Sequence, residues 1–60
     1  MYTLLFETEA EKTVESVNEA FARETGENNW GYDTLNDILK AEKDGFLEFS
    51  DNVMKVYVDM

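Results

Sequence analysis

Residues 46–58 can pair with themselves in one register only, and that pairing constrains everything before it. The segments 46–50 and 53–58 flank Asp51-Asn52. Both turn residues tolerate the positive φ that a two-residue hairpin turn needs. With Ser50 opposite Val53, Glu48 falls opposite Lys55 as a complementary charge pair. Leu47, Phe49, Met54, Val56 and Val58 then share one face, with Phe46 and Tyr57 opposite each other on the other face. A slip of one residue loses both agreements. An isolated hairpin is marginal in water, so the rest of the chain has to cover its apolar face.

Residues 2–7 read as a further strand, with Tyr2, Leu4 and Phe6 on one face and Thr3, Leu5 and Glu7 on the other. Thr8-Glu9-Ala10-Glu11 fits a capping box and starts a helix at Thr8, with Thr13 as a second candidate start. Ala10, Val14, Val17 and Phe21 recur at helical spacing as its buried stripe, and Gly26 stops it. Residues 26–32 form a loop. Asp33 is read as the N-cap of a second helix with Leu35, Ile38 and Leu39 as its apolar stripe and Gly45 as its stop. The order is β-α-α-β-β. It predicts a single α+β domain over residues 1–60, a small three-stranded, mostly antiparallel sheet with two helices on one face.

Composition narrows the function. A chain of 60 residues without cysteine has neither disulfides nor a thiolate metal site to help it fold, so the eight aromatics and the aliphatic residues must supply a core. The longest apolar run is Leu4-Leu5-Phe6, and the N-terminus lacks a signal-peptide pattern, which points to the cytoplasm. There is no histidine, so hydrolytic triads lose their usual base, and no glycine-rich phosphate loop is present. Residues 33–44 have the length of a calcium loop. They carry Ile38 where it needs glycine and Asp44 where it needs glutamate, so no metal and no other cofactor is expected. The chain does not read as an enzyme.

The net charge is −9, with 14 acids against 5 bases, and both halves share it. Such a chain is repelled by nucleic acid and anionic membranes and attracted to basic surfaces, although the charge also serves solubility. Glu11, Glu15 and Glu19 stand four residues apart and line up on one helix face. Each step is about 6 Å, close to the roughly 6–7 Å between phosphates along a nucleic-acid strand. Like charges at this spacing cost helix stability, offset in part by Lys12 and a Glu19–Arg23 pair. The functional reading is a phosphate-mimicking ridge, and the alternative is an ordinary solvated face. Trp30, in a polar loop beside Asn29 and Tyr32, either plugs the core or anchors a partner. Leu5, Phe46 and Tyr57 form a candidate apolar patch on the outer sheet face, suited to docking or to a homodimer.

The segment Gly26-Glu27-Asn28-Asn29-Trp30-Gly31-Tyr32-Asp33-Thr34-Leu35-Asn36-Asp37-Ile38-Leu39 resembles the loop and second helix of barstar-like ribonuclease inhibitors. That family carries a similar Gly-x-Asn-Trp followed by Asp-x-Leu-x-x-x-Leu. Here Gly31-Tyr32 stands between the Trp and the Asp, and the chain is too short for the family's later helix and strand. The resemblance implies that Asn29, Trp30, Asp33 and Asp37 contact a basic, phosphate-binding site. Size and charge are also similar to phage-encoded inhibitors that mimic nucleic acid. The expectation is a small acidic inhibitor, encoded by a phage or mobile element. It would occupy the basic site of a nuclease, CRISPR effector or polymerase through Glu11, Glu15, Glu19, Asn29, Trp30, Asp33 and Asp37. The alternative is a non-enzymatic adaptor acting through the apolar sheet face.

Overall fold

A computed structural model describes residues 1–27 and 31–59. The elements are β1 (Tyr2–Glu9), α1 (Val14–Thr25), α2 (Leu35–Asp44), β2 (Leu47–Ser50) and β3 (Val53–Asp59). The strand order is β1-β3-β2 and both pairings are antiparallel. The expected architecture is therefore present.

The C-terminal hairpin adopts the anticipated register, with Ser50 opposite Val53 and Glu48 opposite Lys55. Asp51 and Asn52 have φ of 50° and 65°, the left-handed pair of a type I′ turn, whose twist matches that of the strands. Leu47, Met54 and Val56 are buried on one face. Val17, Ala20 and Phe21 of α1 and Ile38 and Ala41 of α2 join them in one cluster, so both helices cover that same face. Gly26 and Gly45 end the helices in the left-handed region, as anticipated.

Three local expectations change. Thr8 does not start α1. β1 continues to Glu9 because residues 6–9 pair with 53–56 of the central strand, and Ala10 N–H extends the ladder to Asn52 O at 2.9 Å. A full ladder satisfies more backbone groups than a cap at Thr8 would. The helix begins instead behind Thr13, whose Oγ1 accepts the Ser16 N–H at 3.1 Å. Ala10 is buried, but from the connecting segment and not from the helix.

The second change is at α2, which is capped by Thr34 and not by Asp33. Thr34 Oγ1 accepts the Asp37 N–H and Asp37 returns a bond to the Thr34 N–H, each at 3.2 Å. Thr34-Leu35-Asn36-Asp37 has the spacing for that reciprocal box, which a cap at Asp33 lacks. The helix then buries Ile38 and Ala41, leaving Leu35 and Leu39 47% and 42% exposed.

The third is a register shift in β1. Leu4 faces Tyr57 and Phe6 faces Val56, with Leu5 as the extra residue. A bulge of this kind breaks strict alternation. Phe6 goes to the core side with Val56, whereas Tyr2 and Leu4 fall on the opposite face in register with Asp59 and Tyr57. They are each 47% exposed.

Candidate functional site

The acidic residues are not evenly neutralised. Lys12 pairs with Glu42 at 2.9 Å and lies over the Phe49 ring, Lys55 reaches Glu48 at 3.7 Å, and Arg23 Nε lies 3.7 Å from Glu24. The N-terminal amine takes Asp59 at 3.1 Å. These pairs are solvent-exposed and individually worth little stability. Their importance is the location of the acids they leave alone.

The anticipated three-glutamate row is broken by the late start of α1. Glu11 precedes the helix, so only Glu15 and Glu19 stand one turn apart, about 6 Å along the axis. Glu11 instead folds back, its N–H donating to Ser16 Oγ at 2.8 Å. This brings it to an open groove of ≈ 520 Å³ between the end of β1, the side of α1 and the hairpin turn. Glu9, Glu11, Glu19 and Asp51 wall the groove, and Ala10, Ser16 and Val53 contribute to its lining. None of these four carboxylates has a hydrogen bond or ion pair among the described residues. Arg23 also borders the groove, but its Nη2 donates to Thr8 Oγ1 at 2.8 Å and to the Glu9 carbonyl at 3.0 Å. It braces the strand and does not form the anticipated pair with Glu19. Glu15 lies outside the lining.

Glu9 and Asp51 were not singled out from the sequence. They meet Glu11 and Glu19 because β1 runs antiparallel to β3, which puts the end of the first strand beside the hairpin turn. The turn position of Asp51 was readable; its neighbour across the sheet was not.

The structure does not bring Asp33 and Asp37 into this groove. Asp33 is exposed ahead of α2, and the Asp37 carboxylate is committed to the cap of that helix. Asn29 and Trp30 lie outside the described residues. The loop rejoins the body at Tyr32, whose N–H donates to Asn18 Oδ1 at 2.7 Å and whose carbonyl accepts from Asn18 Nδ2 at 2.8 Å. The Tyr32 ring lies against Phe21, with centroids 5.8 Å apart.

Burial, and secondarily the Asp37 charge, push the Tyr32 hydroxyl above its ordinary value of 10.0. The unfolded chain therefore loses that proton first as pH rises. Stability should be intact below about pH 10 and decline as pH rises toward the folded-state value. Urea midpoints at pH 9 and pH 11 test this. The part of the decline owed to Tyr32 should vanish in Tyr32→Phe.

A second exposed region lies on the sheet face away from the helices, where Leu4 pairs with Tyr57 and Tyr2 follows at the strand end. Tyr2 meets Phe46 edge-on at 5.1 Å and its hydroxyl donates to the Asp44 carbonyl at 2.9 Å. Leu5 is 45% exposed beside them. Of the anticipated patch of Leu5, Phe46 and Tyr57 only Leu5 is exposed, Phe46 and Tyr57 being partly buried; Tyr2 and Leu4, which strict alternation had assigned to the other face, join Leu5 instead. Phe46 itself is partly buried and packs against the core.

Among the described residues no group of three or more Asp or Glu side chains is arranged to hold a metal ion, and no helix is long and apolar enough to cross a membrane. The groove offers charge in an open, hydrated setting. It can bind cationic groups; it has no enclosed acid to act as a proton donor. No known protein family, curated protein or solved structure matches the chain.

Proposed function

We propose that this chain is a small acidic inhibitor that occupies the basic nucleic-acid site of a nuclease, polymerase or similar nucleic-acid-handling protein. The observation that carries the reading is the groove walled by four carboxylates without partners, Glu9, Glu11, Glu19 and Asp51. Glu15, one helical turn from Glu19, extends the same charge along α1. Leaving these groups unpaired while Lys12 and Arg23 are engaged elsewhere concentrates negative potential at the groove. A basic groove evolved for phosphates meets that potential with complementary sign, which speeds encounter and excludes nucleic acid by competition. An origin in a phage or mobile element suits so small an inhibitor, acting in the cytoplasm of the host.

The test is capture of partners on the immobilised protein from a lysate of the source or host cell, with elution by a salt gradient. A basic nucleic-acid-binding protein should leave at moderate salt and should be displaced by added nucleic acid. The double variant Glu11→Lys/Glu19→Lys should weaken capture by roughly tenfold or more, about 1.4 kcal/mol. Unchanged affinity in that variant, shown by circular dichroism to be folded, would refute the reading.

A further inference from the structure

The sheet face opposite the buried cluster leaves Tyr2, Leu4 and Leu5 about half exposed, with Tyr2 also touching Phe46 and the C-terminal end of α2. Its two ends differ in chemistry. At one end the β1 bulge places Tyr2 and Leu4 beside Tyr57, with Leu5 half-exposed next to them. At the other, Glu7 faces Lys55 across β1 and β3, and Glu48 faces the same lysine from β2. One cation thus stands between two carboxylates, and its Nζ is already 3.7 Å from Glu48. We propose that this face docks a single basic amphipathic helix of another protein. The apolar side of the helix would rest on Tyr2, Leu4 and Tyr57, and its cations on Glu7 and Glu48.

The dimensions suit that occupant. Three strands spaced about 4.8 Å apart present a strip about 10 Å wide between the outer strand axes, close to a helix diameter of about 10–12 Å. The seven residues of β3 run about 23 Å, the length of about 15 helical residues. Charge complementarity selects the partner. A second copy would set a net charge of −9 against its like. Pairing through the β1 edge is hindered by the bulge, a common device against edge-to-edge association. Nucleic acid and anionic membranes are repelled for the same reason as a second copy.

The probe is a 15-residue peptide of leucine and lysine spaced for one apolar helix face, with a scrambled peptide of the same composition as control. Both are titrated into the isotope-labelled full chain at physiological salt and followed by NMR. The amphipathic peptide should shift amides of β1, β3 and β2 saturably and bind at least tenfold tighter than the scrambled one. Leu4→Lys should abolish this, and so should Glu7→Lys/Glu48→Lys, which leaves the apolar end intact. Glu11→Lys/Glu19→Lys should leave peptide binding unchanged, which separates this surface from the acidic groove. Equal binding of the two peptides, shifts confined to the groove, or concentration-dependent self-association through Leu4 seen by light scattering would each overturn the proposal.

Discussion

Ile38→Ala should lower stability by about 2–5 kcal/mol, whereas Leu39→Ala, one residue along the same helix, should change it by no more than about 0.5 kcal/mol. Ile38 is 0% exposed and touches the cluster formed by both helices and the sheet; Leu39 is 42% exposed. Removing the Ile38 side chain loses its transfer free energy and leaves a cavity that a small core cannot refill. At about 0.05–0.15 kcal/mol per residue, a chain of this length has roughly 3–9 kcal/mol in total. Ile38→Ala should therefore remove a large share of the total stability and lower the urea midpoint accordingly. Urea melts of the two variants monitored at 222 nm decide the matter. Equal losses would mean that α2 turns its Leu35–Leu39 side to the core.

Asn18→Ala should cost about 2 kcal/mol, a large effect for a polar residue on a helix. Its carboxamide satisfies both the N–H and the carbonyl of Tyr32 and so ties α1 to the incoming loop. Losing it leaves two partly buried backbone groups without their protein partner, each worth about 1 kcal/mol or more. Gly31→Ala should cost a similar amount for a linked reason, because a Cβ at Gly31 would overlap the Asn18 carboxamide. The two effects should not add. Once Asn18 has been shortened, Gly31→Ala has little left to displace, so the double variant should lie well short of the sum of the singles. A double-mutant cycle in urea measures that coupling, and additivity would show that Gly31 matters for another reason.

Both results bear on how function is positioned. The Asn18 clamp fixes Tyr32 and the start of α2, and Ile38 fixes α2 on the sheet, yet neither touches the acidic groove. Stability variants and charge variants should therefore separate cleanly: the first move the urea midpoint, the second the salt dependence of partner binding. Glu11 and Glu19 are exposed and do not support the core.

The features legible in the sequence were those set within a few residues. The hairpin register followed from alternation on either side of Asp51-Asn52, because a misregister exposes a whole face at once. The two helix stops followed from Gly26 and Gly45, which accept a left-handed φ without a Cβ penalty. The element order, and with it the α+β architecture, came from the change of period between strands and helices. The concentration of acid was visible as well, but its location was not. Thr8 and Thr13 both offered a start for α1, whereas α2 was read as starting at Asp33 and is capped by Thr34. In the second case the deciding signal, the Thr34–Asp37 spacing, was present in the sequence; in the first it was not. Thr8 lost because β1 gained more backbone bonds by staying paired with β3, a strand more than forty residues away in the chain.

That long-range pairing also produced the bulge at Leu5, moved Tyr2 and Leu4 to the outer face, and carried Glu9 to Asp51. Local pattern therefore determined which elements form and how the hairpin closes, since backbone conformation and short-range alternation are sufficient for both. The antiparallel docking of β1 on β3 determined which glutamates meet and which apolar side chains stay exposed. A sheet joins residues by register, and register between distant strands is settled only when the whole core packs.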